Sequence, residues 1–314
     1  MNAVPVPSLG LLSRLWLREP DSLALAAARE LPSLAPHAED PGVMAPAYTD
    51  LFLLNVYPYG TAFTDPSGEL NGRAAWQAAR SYEGRSFRPP ELFEVGAPDH
   101  VGLCLGFLEH LARTGHEDRG FSSWLLEWVP ICCLAVEREP SAHAFYRAVA
   151  VATRRHVLEI VPEPLARASA PVESAPPGPD TEEEEVGLSH IVRFLLAPAR
   201  SGLFLSRAKL GGLARAAGMP LPFGSRFDVA RMLFRAAGEG ERVGAILELL
   251  EEELAHWEAA YRAWTEAHSQ WAPLAARWLQ RTAETGRLIA RMRTILENPP
   301  ELVSTEGRNG EGSE

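Results

Sequence analysis

Apolar residues recur at intervals of three and four along nearly every long segment of this chain, the spacing that turns one stripe of an α-helix toward a core. The pattern predicts helices near 9–17, 21–34, 42–56, 71–82, 99–114, 119–137 and 141–160. A second set follows near 186–197, 206–217, 225–237, 241–268 and 271–297. Stretches that alternate with a period of two are hard to find, so the expected fold class is all-α. In the last two helices Trp257, Tyr261 and Trp264 recur against Trp271, Leu274, Trp278, Leu288 and Ile289, which reads as an antiparallel helical hairpin closed by ordinary core packing.

The periodicity stops between Pro162 and Glu185, where six prolines are followed by four consecutive glutamates, Glu182 to Glu185. Such a stretch holds too little apolar surface to order itself. The expected division is therefore a helical domain over 1–165, a Pro/Glu-rich linker over 166–185, a C-terminal helical domain over 186–298 and a disordered tail over 299–314. At 314 residues the chain is long enough for two modest cores.

Composition narrows the function more than the fold. No apolar run approaches the ~20 residues that cross a bilayer, and the start of the chain lacks a positively charged leader, so a cytoplasmic protein without membrane insertion is expected. Formal charge is −7 over 1–165, −5 over 166–185 and +1 over 186–314, which makes up the net −11. An acidic N-terminal half suits a basic peptide and repels nucleic acid. Lys209 is the one lysine and lies in no phosphate-cradling loop, which excludes a Walker-type NTPase. Cys104, Cys132 and Cys133 form no Cys-x-x-Cys pair and read as buried thiols.

The densest chemistry lies at Pro98, Asp99 and His100, directly before the apolar-periodic stretch Val101, Leu103, Cys104, Leu105, Phe107, Leu108 and Leu111. Asp99 stands where a carboxylate would cap the helix, and His100 follows at the rim of whatever groove the apolar face lines. Upstream lie Tyr48 to Phe52, Tyr57-Pro58-Tyr59-Gly60, Tyr82, Phe87 and Glu94. Downstream lie Trp124, Trp128, Pro130, Phe145 and Tyr146. In order and spacing, residues from about 44 to 160 resemble the TorD/DmsD/NarJ family of redox-enzyme maturation chaperones.

That resemblance implies a TorD-like helical bundle, here carrying an additional C-terminal helical domain. It also implies a non-catalytic protein that binds the twin-arginine leader and the apo form of a molybdenum oxidoreductase catalytic subunit during cofactor insertion and before export. No cofactor of the chaperone itself is implied, and a homodimer is compatible with it. The family's peptide-binding cluster of an acidic residue, a proline and an Asp-His pair maps onto Glu94, Pro98, Asp99 and His100, with Glu94 further from the proline than in the family's tighter forms. A leader of two arginines and an apolar run calls for carboxylates at a groove rim and aromatic walls behind. Glu94 and Asp99 are the candidate acceptors; Tyr57, Tyr59, Tyr82, Phe87, Trp124 and Trp128 are the candidate walls. Trp124 and Trp128, four apart, read equally as core.

Enzymatic chemistry finds little support. Adjacent helical side chains such as Asp99 and His100 point about 100° apart, no nucleophile with a second base is evident, and no pair of histidines stands at metal-ligand spacing. Arg200 and Arg207, in the segment between two C-terminal helices, read as turn residues or as cations for the acidic half or a client. The competing function is a helical adaptor that scaffolds two proteins without leader recognition.

Overall fold

The computed structural model describes residues 8–66, 72–160, 187–220 and 223–298; among them are fifteen α-helices and no β-strand, an all-α protein. The expected linker 166–185 and tail 299–314 lie outside the described residues.

Local chemistry sets the helix ends. The Ser8 hydroxyl accepts from Leu11 N to open α1 (Leu9–Leu17), and Asp21 does the same for α2 (Ser22–Arg29). α2 stops well before residue 34 because Pro32 cannot continue it. The helix expected over 42–56 is two pieces: α3 (Pro41–Tyr48), which contains Pro46, and a π-helical segment (Thr49–Asn55). Pro46 lacks the N–H of a regular ladder, and the widened turn closes through a 2.7 Å bond from Val56 N to Leu51 O.

Three short helices escape the periodicity, α4 (Gly60–Thr64), α6 (Leu92–Val95) and α11 (Pro198–Ser201), each too brief to show a repeat. Between the first two lies α5 (Arg73–Gly84), and after them come α7 (Val101–Thr114), α8 (Arg119–Arg138) and α9 (Ala144–Ile160). Helices α1 and α7 approach closely because α7 presents Gly102: Ser13 Oγ donates to Gly102 O at 2.7 Å, and a Cβ there would lie 2.9 Å from Ser13 O.

The C-terminal half is α10 (Leu188–Leu196), α11, α12 (Arg207–Ala216), α13 (Arg226–Glu239) and the expected hairpin of α14 (Val243–Ala267) and α15 (Ala272–Glu297). Tyr261 holds that hairpin, with Trp257, Trp264, Trp271 and Trp278 at ring-centroid distances of 5.9 to 6.3 Å. One hydrophobic core runs through both halves. Phe63 stacks on Phe204 at 5.3 Å, Asn55 Oδ1 accepts from Ala208 N at 2.8 Å, and Trp278 Nε1 donates to Glu127 O at 3.3 Å. The buried Glu253 carboxylate of α14 takes Arg138 of α8 at 3.0 Å and Lys209 of α12 at 2.8 Å.

Candidate functional site

Two short segments meet in front of α4 and α7. Val56–Tyr59 leaves the π-helical turn, Ala97–His100 enters α7, and Tyr59 pairs with His100 as a single antiparallel bridge. Gly60 N donates to Asp99 O at 2.9 Å and Val101 N to Pro58 O at 2.8 Å. Gly60 has little room for a side chain, since a Cβ would sit 3.0 Å from the Trp128 ring and 3.1 Å from that of Trp124.

The bridge reassigns the Asp-His pair. The cap of α7 is His100, whose Nδ1 accepts from Gly102 N at 3.0 Å, and Asp99 instead caps α4, its Oδ2 accepting from Thr61 N at 2.7 Å and from the Thr61 hydroxyl. Both side chains are buried. Burial raises the Asp99 carboxyl above the usual carboxylate range despite its two Thr61 bonds, and leaves Oδ1 without a partner. Burial also lowers His100 to about 3, so the ring is neutral at physiological pH with its proton on Nε2. The expectation of a pair standing at an open rim is thus corrected for Asp99, which cross-segment bonding draws inward, while His100 is left buried at the back of a cavity.

The aromatic walls separate in the same way. Tyr82, Trp124 and Trp128 are core residues, in a row of rings that passes through Phe107 and Phe121 at centroid distances of 4.8 to 6.0 Å. Tyr82 OH donates to Pro98 O at 2.8 Å, so it fixes the crossing rather than facing a ligand. Phe87 lines a different cavity, between α1 and α7. Tyr57 faces the C-terminal half, under the Arg226 guanidinium at 5.8 Å.

What remains accessible is a cavity of about 430 Å³ between the end of α1, the π-helical segment and the crossing. Tyr48, Phe52, Tyr59 and His100 give it aromatic lining, Tyr59 standing edge-on to His100 at 5.0 Å with its hydroxyl donated to Val95 O at 2.8 Å. Glu19 and Glu94 supply carboxylates; Glu19 accepts from the Thr49 hydroxyl at 3.3 Å. Arg18, also in the lining, is engaged with Glu91 at 3.0 Å. Leu53 lines the cavity yet is 60% exposed, and Phe93, beside Glu94 in the chain, is 95% exposed. Of the expected residues, the cavity collects Tyr59, Glu94 and His100. It adds Glu19 and Leu53, whose only trace in the sequence is a carboxylate or an apolar side chain near a helix end.

Behind the cavity, Tyr48, Phe52 and Tyr146 pack together with Trp16, with ring centroids 5.0 to 6.0 Å apart. Tyr48 OH donates to Trp16 O and Tyr146 OH to Met44 O. Tyr48 and Phe52, four positions apart, thus build one wall with Tyr146 from far along the chain. Residues 19–132 match the family model described as nitrate reductase delta subunit. That stretch contains the whole crossing and every cavity residue except Leu17 and Arg18. The match covers just over a third of the chain. No curated protein and no solved structure matches the chain. Among the described residues no helix is long and apolar enough to cross a membrane, and no cluster of His, Cys, Asp or Glu stands ready for a metal.

Proposed function

We propose that the protein is a maturation chaperone for a molybdenum-containing oxidoreductase, and that the cavity at the Tyr59–His100 crossing receives the basic, apolar leader of its client. The reading is carried by one coincidence: the stretch that matches the delta-subunit family encloses an open cavity with carboxylates and aromatic rings, the chemistry a pair of arginines followed by an apolar run requires. In this reading Glu19 and Glu94 take the guanidiniums, Tyr59 and Phe52 flank the chain and Leu53 and Phe93 cover the apolar run. Asp99, Pro98 and Tyr82 hold the crossing from behind. A neutral His100 suits this role, because a charged imidazolium would repel the arginines. Binding before export places the work in the cytoplasm.

The test is titration of the full chain with a synthetic twin-arginine leader peptide by fluorescence anisotropy. Glu19→Gln with Glu94→Gln is expected to weaken binding about tenfold or more, with a shallower salt dependence and unchanged melting, since both residues are exposed and a glutamine at 19 still accepts from the Thr49 hydroxyl. Affinity unchanged by the double substitution, or equal affinity for a peptide with both arginines replaced by glutamine, removes leader recognition from this cavity.

A further inference from the structure

In a chain of net charge −11, three arginines from three helices surround the entry to α13 with no carboxylate within ion-pair distance of any of them among the described residues. Arg193 of α10 lies over the Phe227 ring at 5.6 Å, and Arg207 of α12 lies over the Phe223 ring at 5.6 Å. Arg226, the first residue of α13, sits between Phe204 at 5.0 Å and Tyr57 at 5.8 Å. The Arg226 guanidinium donates to Leu196 O at 2.9 Å, and its Nη1 is buried without a partner.

The one carboxylate in the first turn of α13, Asp228, is already engaged by the Ser225 hydroxyl at 2.6 Å and by Arg231 at 3.8 Å. Phe223 is 86% exposed. A guanidinium resting on an aromatic face keeps its in-plane N–H donors free and has already lost part of its rotamer freedom, which favours a carboxylate ligand. The exposed Phe223 ring beside it favours an apolar side chain.

From this arrangement we infer that the entry to α13 is a docking surface for an acidic segment of a partner protein, carboxylates meeting Arg193 and Arg207 while an apolar neighbour covers Phe223. Charge complementarity selects that occupant: a long polyanion such as nucleic acid would be repelled by the acidic remainder of the chain, whereas a short acidic segment meets only the local cations. The held charge of Arg226 reinforces the local field without needing to touch the ligand. The inference is independent of the leader-binding cavity, which lies in the other half and has the opposite charge preference.

The experiment titrates the full chain with a short fluorescein-labelled peptide of alternating Glu and Leu. Arg193→Glu with Arg207→Glu is expected to weaken binding about tenfold or more, and Phe223→Ala, an exposed site that leaves folding intact, to weaken it by a smaller factor. A control with the same change of net charge, Arg235→Glu with Arg262→Glu, is expected to bind as the parent does. The proposal is overturned if the control loses as much affinity, if a Gln/Leu peptide binds equally, or if inorganic phosphate displaces the peptide at the concentrations where chloride does not. It is overturned in favour of an intramolecular occupant if replacing Glu182 to Glu185 by glutamine raises peptide affinity by a comparable factor.

Discussion

Asp99 and His100 are chain neighbours on which the same burial acts in opposite directions: the acid titrates higher and the base lower, so both are driven toward their neutral forms. For His100 the folded value of about 3 lies below the ordinary 6.5. The unfolded chain therefore binds the extra proton, and stability that is complete above pH 6.5 is lost progressively as pH falls toward 3. Between pH 7 and pH 5 that amounts to about 2 kcal/mol. Asp99 acts with the opposite sign, because its raised value favours the folded state as pH falls toward the carboxylate range. Urea unfolding at the two pH values checks this: His100→Asn, which keeps an acceptor for Gly102 N, is expected to flatten most of the loss. Asp99→Ala removes the α4 cap and is expected to cost about 2 kcal/mol at neutral pH. A carboxylate and imidazole before an apolar run were legible as important, but not as buried, because the partner that buries them, residues 58–61, lies some forty positions away.

At the scale of single elements, most helices were legible from the period of their apolar residues. The exceptions have local causes. One expected helix is α3 and a π-helical segment, and that segment delivers Asn55 to two tasks. Its Nδ2 donates to Asp50 O at 2.9 Å and its Oδ1 accepts the α12 amide of Ala208. Asn55→Ala is expected to destabilise the fold by about 2 kcal/mol by leaving both groups without their partner, read as a lower midpoint in chemical denaturation at unchanged slope. Leu53→Ala, two residues away but exposed, is expected to leave that midpoint within about 0.5 kcal/mol. Periodicity reports which face of a helix is apolar; it is silent on a helix of four or five residues and on a turn widened by one residue.

At the scale of the whole molecule, Glu253 joins α8, α12 and α14 through Arg138, Lys209 and its own-helix partner Trp257 Nε1 at 2.9 Å. Burial alone would raise its carboxyl; the Lys209 bond and the Arg138 charge overcome that and leave it lowered. Glu253→Ala strands two cations at a half-buried junction and is expected to cost about 3 kcal/mol, measured as a fall in melting temperature of the full chain. The two-domain reading is tested by expressing 1–165 alone. Removing the C-terminal half uncovers Phe63 and the Glu127 edge of α8, and the fragment is expected to associate more strongly than the full chain in analytical ultracentrifugation.

The amino-acid order by itself determined the all-α class, nearly all the long helices, the stretch that carries the family match and the acid-rich balance that suits a basic ligand. Those properties depend on residues a few positions apart, where helix geometry and capping act. Tertiary structure alone decided which of the motif's side chains face solvent. It sent Asp99, Tyr82, Trp124 and Trp128 inward, gathered Glu19, Leu53, Tyr59 and Glu94 around one cavity and set unpaired arginines about α13. Exposure follows from what packs against a residue from elsewhere in the chain, and no local spacing encodes it.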